Sequence, residues 1–130
     1  MSKQDEAVLV VNKYFEAFNF KDLDKLKRLY SDNVVLDEWG TRFFGKQAVL
    51  EQNEKLFSSC GKIKIYVLNQ FIDSVPSEGF QLVCNEIKVM LWKHEYDTNP
   101  TSVFVVDIIR VDDSGLIEAV RAFKGAGFDT

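Results

Sequence analysis

Two acidic residues in this chain stand where acids are costly. Asp107 is the lone acid of VFVVDIIRV, an otherwise apolar run but for Arg110. A carboxyl group in such surroundings must be protonated, paired with a cation, or open to a wet cavity. Arg110 lies three residues on, and strand alternation points it to the opposite face, so it is a poor partner. A lysine or arginine from another element, Lys124 for one, would make Asp107 a structural acid instead. Glu38 ends the run VVLDE. In a regular strand Val34, Leu36 and Glu38 share one face, and Val35, Asp37 and Trp39 share the other. Glu38 then follows the apolar set inward. Burial raises the pKa of a carboxyl group and makes it a competent base near neutral pH. A frayed strand end would leave both acids in water. Tyr14 lies on the apolar face of an N-terminal helix, where its ring is core and its hydroxyl needs a partner.

These residues depend on the elements that carry them. Glu6 to Phe18 has apolar residues at Ala7, Val8, Val10, Val11, Tyr14, Phe15 and Phe18, which is helical spacing. The polar SKQD segment caps its start. Asp22 caps a second short helix through Leu23, Leu26, Leu29 and Tyr30. Ser31-Asp32-Asn33 reads as a turn and Val34 to Asp37 as a short strand. A glycine-bounded excursion, Gly40 to Gly45, precedes a third helix over Lys46 to Phe57. The remainder reads as strands: Lys62 to Ile72, Phe80 to Tyr96, Ser102 to Val111 and Leu116 to Lys124. Turns fall at Pro76 to Gly79, Asp97 to Pro100 and Asp112 to Gly115. Helices first and an antiparallel meander after them predict an α+β layer arrangement. A long sheet of this kind curls, and helices closing it make a cone with an internal cavity.

Composition bounds the function. The 130 residues fit one domain, residues 1–130, and 46% hydrophobic content is enough for a core. The net charge of −4 argues against nucleic acid as a partner, since phosphate contacts need concentrated Lys and Arg. The basic residues between Lys21 and Arg28 are interrupted by Asp22 and Asp24, and read as a solvated helix face. No apolar run is long enough to span a bilayer, and MSKQDEA lacks a signal-peptide core, so no membrane is expected and a cytoplasmic location is the default. Cys60 and Cys84 lie in different elements; one disulfide is open to them, but nothing marks a secreted scaffold. His94 is the only histidine, which leaves almost no material for a histidine zinc site or a Ser-His-Asp triad.

YFEAFNFKDLDKLKRLYSDNVVLDEWG, Tyr14 to Gly40, resembles the opening of SnoaL-like proteins of the NTF2-like superfamily. DIIRVDDSGLIEAVRAF, Asp107 to Phe123, resembles their closing hairpin. The resemblance implies an NTF2-like cone: three N-terminal helices packed on a strongly curved antiparallel sheet that encloses a pocket. At functional positions the chain is most similar to the ketosteroid isomerases. That likeness implies that Tyr14 donates to a substrate carbonyl, that Glu38 is the general base, and that a protonated Asp107 is the second donor to the oxyanion. Tyr30 falls where some members have a tyrosine supporting the first one. Asn53 falls near the place of a third tyrosine. Trp39 replaces the usual proline after the base. Lys124 stands where an aromatic residue walls the pocket, and a cation there favours an anionic or polar ligand. Tyr30, Trp39 and Lys124 are therefore the expected ligand-binding set.

The implied chemistry is proton abstraction next to a carbonyl, with no cofactor and no metal. The expected partners are a small carbonyl-containing molecule and a second copy of the chain, since the family usually dimerises through its sheet. Met90 and Trp92 would share the outer strand face with Leu82 and Cys84. Glu86, Lys88, Lys93 and His94 carry no assigned role. A non-catalytic ligand-binding or dimerisation module, and a water-activating hydrolase, are the alternatives on the same fold.

Overall fold

The structure is a computed structural model that describes residues 1–73 and 79–125. Helix α1 (Lys3–Asn19) is capped by Ser2, whose side chain accepts from the Asp5 N–H. Helix α2 (Leu23–Leu29) is capped in the same way by Asp22 through Lys25 N–H. Strand β1 (Tyr30–Glu38) turns into β2 (Thr41–Phe44), and α3 (Lys46–Ser59) follows. The meander is β3 (Lys62–Ile72), β4 (Phe80–Trp92), β5 (Thr101–Asp112) and β6 (Ile117–Lys124). Of the predicted turn at Pro76 to Gly79, only Gly79 lies within the described residues.

Three helices pack on a six-stranded curved, unclosed sheet of order β2-β1-β6-β5-β4-β3. The fold class is the α+β cone expected from the sequence. Three details differ. First, β1 runs parallel to β6, so the sheet is not antiparallel throughout; residue spacing does not encode the direction of a non-sequential neighbour. Second, Ser31-Asp32-Asn33 is strand, and Tyr30 opens it instead of closing α2. The register against β6 shifts between Tyr30 and Val35, so these turn-forming residues sit in a bulge. Third, β4 stops at Trp92 and not at Tyr96, because Asp97 accepts from the His94 N–H and turns the chain.

The core lies between the inner sheet face and the helices. Ala7, Val11, Phe15 and Phe18 of α1 meet Val83, Ile87 and Ile109 of the sheet. Gly45 ties α3 to β1, its N–H donating to Val34 C=O at 2.8 Å with φ at +89°. Lys21 departs from its expected solvated face. Its ammonium donates to the carbonyls of Phe57 and Cys60, closing the C-terminal end of α3. Both cysteines are free thiols. Among the described residues, no helix is long and apolar enough to cross a membrane.

Candidate active site

Alternation along β1 survives to Glu38. Val34 and Leu36 are buried, and Glu38 lies half-buried on their side. Asp37 faces the other way and pairs with Arg42 across the hairpin at 3.1 Å. At Trp39 the alternation ends. Trp39 has φ +49° and Gly40 has φ +80°, the double left-handed pattern of a two-residue hairpin turn. The turn swings the exposed indole onto the cavity mouth, the side opposite to that expected from strand parity.

The cavity has a volume of about 500 Å³ and is walled mainly by aliphatic residues of β3 to β6. Tyr14, Glu38, Trp39 and Asp107 all line it. Three strands place the acids in one row. Glu38 is in register with Ala122 of β6, and Ala122 is in register with Asp107 of β5. Asp107 is 6% exposed and, among the described residues, forms no ion pair. Arg110 pairs with Glu118 instead. Lys124 faces Val105 in the register, not Asp107; it is exposed at the end of β6 and does not line the cavity. Lys124 is not on the pocket wall, because the wall on β6 is made by Val120 and Ala122; the lysine that lines the cavity is Lys55 of α3.

Tyr14 packs against Phe18 with ring centroids 4.9 Å apart and against Tyr30 at 6.1 Å. Tyr30 stands behind Tyr14, outside the cavity wall, and donates to Asn53 Oδ1 at 2.7 Å. Asn53 of α3 thus gives the buried Tyr30 hydroxyl its acceptor. Two polar residues go unassigned in the sequence reading. Gln52 Nε2 donates to Glu38 Oε1 at 3.3 Å. Asn85, fully buried on β4, donates to the carbonyls of Val83 and Asp107 and accepts from Gln70. One sequence signal marks Asn53. It interrupts the stripe Val49–Asn53–Phe57, whose spacing of four residues is that of a buried helix face.

The site's electrostatics follow from burial. Asp107 is pushed up to about 7, first by desolvation and then by the charge of Glu38. Burial raises Glu38 as well, and the Gln52 hydrogen bond opposes that shift. The Tyr14 phenol is raised by burial, then by the neighbouring Tyr30, Asp107 and Glu38. One half-buried carboxyl group thus shares the cavity with a buried phenol and with a second carboxyl group whose pKa is raised to about 7.

Fold and site together define a pocketed α+β cone whose lining holds two acids and a buried phenol. The chain belongs to the SnoaL-like domain family, whose description matches residues 11–120. No curated protein matches the sequence. An LEH-like epoxide hydrolase from M. tuberculosis superposes with a TM-score of 0.77 at 18% identity, over 95% of this chain and 86% of that one. An NTF2-like protein of unknown function from Exiguobacterium sp. 255-15 gives 0.72 at 18%, over 91% and 99%. A protein with a ketosteroid isomerase-like fold from Catenulispora acidiphila, in complex with trimethylamine, gives 0.71 at 10%, over 90% and 85%. At such identities the likeness is one of fold.

Proposed function

We propose that this chain is a cofactor-free enzyme that abstracts a proton next to a carbonyl, in the manner of the ketosteroid isomerases. The observation that carries the reading is the row Glu38–Ala122–Asp107 beneath Tyr14 in one apolar cavity. Glu38 takes the proton from carbon. Tyr14 and neutral Asp107 donate to the oxygen on which negative charge develops. Glu38 then returns the proton to a different carbon, so no group is consumed and no redox partner enters. The ligand is a small molecule with a carbonyl at its deep end and an apolar body. A homodimer through the outer sheet face, where Leu82, Cys84, Met90 and Trp92 lie, completes the proposal; sedimentation equilibrium tests it.

The test is proton exchange. A β,γ-unsaturated ketone in D2O should gain deuterium at its α-carbon and move its double bond, followed by NMR. Glu38→Gln should lower that rate by at least about a hundredfold, the scale of a lost general base. An unchanged rate in Glu38→Gln sinks the proposal.

The Gln52–Glu38 pair favours a second reading. An amide and a carboxylate side by side can hold and activate a water, which would make the site a hydrolase. Oxygen from labelled water in the product distinguishes it.

A further inference from the structure

Among the described residues that line the cavity, Trp39, Lys55 and Ser59 are the exposed ones, and they mark its mouth. Gln52, Lys55 and Ser59 follow one another along α3 at spacings of three and four residues, so one face of that helix forms a side of the opening. Two turns, about 10 Å of helix, separate Gln52 beside Glu38 from Ser59 at the helix end. Helix α3 thus leads from the acid outward to solvent.

Lys55 is the one cation on this lining. Its ammonium forms no ion pair among the described residues. Glu51, one turn back on α3, accepts from Gln47 Nε2, and Glu38 accepts from Gln52 Nε2. The Ser59 hydroxyl donates to Leu56 C=O at 2.7 Å, so its proton is already committed. The mouth therefore offers one free charged donor beside an aromatic face. The interior offers the reverse. Its walls are aliphatic and it holds two acids, so a further negative charge there would meet both desolvation and repulsion. A ligand's anionic group fits at the mouth and nowhere deeper.

We propose that Lys55 is a specificity-determining residue, selecting a ligand with an anionic group at the end that emerges from the cavity: an amphiphilic acid whose carbonyl end goes deep. This deepens the functional reading above and rests on it for which end goes in. Lys55 stands away from the reacting carbons and acts on ligand choice alone. The sequence suggests Lys124 for a cation of this kind; α3 supplies it instead.

The probes are two forms of one tricyclic enone. Each carries a two-carbon tether on the ring farthest from the ketone, ending in a carboxylate or in the primary amide of the same shape. Calorimetry at low salt gives both affinities in wild type, Lys55→Gln, Lys55→Glu and Lys13→Glu. Lys13 is exposed on α1 and does not line the cavity, so its reversal controls for net charge. Lys55→Gln should weaken the carboxylate by about threefold to fivefold, the upper part of the range for an exposed ion pair. Lys55→Glu should weaken it by about tenfold. The amide should stay within about twofold in every variant. The carboxylate effect should fade toward roughly 1 M salt, where the screening length is about 3 Å.

Equal losses for carboxylate and amide in Lys55→Gln overturn the inference, and so does a Lys13→Glu loss that matches Lys55→Glu. Either result leaves the functional reading standing. Deuterium exchange on the β,γ-unsaturated isomer of the amide tests that reading apart from the mouth. No exchange, with the Lys55 effect kept, overturns the functional reading and leaves the anion subsite. Wild type that binds neither probe overturns both.

Discussion

Glu38 and Asp107 are each in register with Ala122, from opposite sides, so one small side chain separates two carboxyl groups. Two strand spacings put their Cα atoms about 10 Å apart. The row continues from Asp107 through Asn85 to Gln70, and Asn85 holds the Asp107 carbonyl. Asp107 therefore sits mid-strand in the sheet, and Glu38 at the last residue of β1 before its turn. The gap between them belongs to Ala122.

Ala122→Leu should close that gap. The added carbons enter the cavity and not packed core, so thermal stability should stay level or rise. Affinity for an enone ligand should fall by at least about tenfold, because the leucine side chain takes the volume the ligand needs. Titration calorimetry on both proteins checks it. Equal affinities would place the ligand elsewhere.

Asp107 makes the protein less stable as pH rises. Its folded pKa of about 7 lies above the unfolded value of about 3.9. Between those values the native state holds a proton that the unfolded chain has released. The contribution is complete below about pH 4 and is lost as pH rises through about 7. Asp107→Asn keeps a neutral donor and cannot titrate. Urea unfolding across pH should therefore be flatter in Asp107→Asn, with a gain over wild type on the order of 1–4 kcal/mol above neutrality. The falling limb of the rate profile near neutral pH should vanish in the same variant. A wild-type limb that persists unchanged in Asp107→Asn assigns it to another group.

Strand parity is what made Glu38 and Asp107 legible: an acid in an alternating apolar run has only two faces to choose from. The rule fails one residue later, where the left-handed backbone at Trp39 ends the alternation. It also fails to say how far a strand's wall extends. Lys124 shares the inward parity of Val120 and Ala122, yet it lies past the rim. Contacts between elements were not legible. Nothing in the spacing of Gln52 and Glu38, or of Asn53 and Tyr30, encodes that α3 lies across β1. The bulge at Ser31–Asn33 hid half of β1, because turn-forming residues there serve a bend within the strand.

Gln52→Leu should raise the Glu38 pKa further. The Gln52 amide is the one influence that opposes the effect of burial on Glu38, and its removal leaves desolvation unopposed. Carboxyl ¹³C NMR of Glu38 in an Asp107→Asn background reads this without the coupled titration of the second acid. The exchange rate at neutral pH should fall with the ionised fraction and recover as pH rises. A Glu38 titration unmoved by the substitution would make the Gln52 contact incidental.

Trp39 joins a strained backbone to a place on the cavity lining. A bulky residue with φ at +49° is strained, and the first central position of such a turn is favoured by Asn, most of all before Gly, which stands at Gly40. Trp39→Asn should raise the unfolding free energy by about 1 kcal/mol. The indole is 56% exposed and lines the mouth, so its removal leaves no hole in the core. Ligand affinity should drop by about threefold to tenfold through the lost aromatic surface. Thermal melts with and without an enone separate the two effects. The ligand-free melting temperature should rise, and the ligand-induced increment should shrink. A lower ligand-free melting temperature would show that the indole is held by packing that outweighs the strain of its backbone.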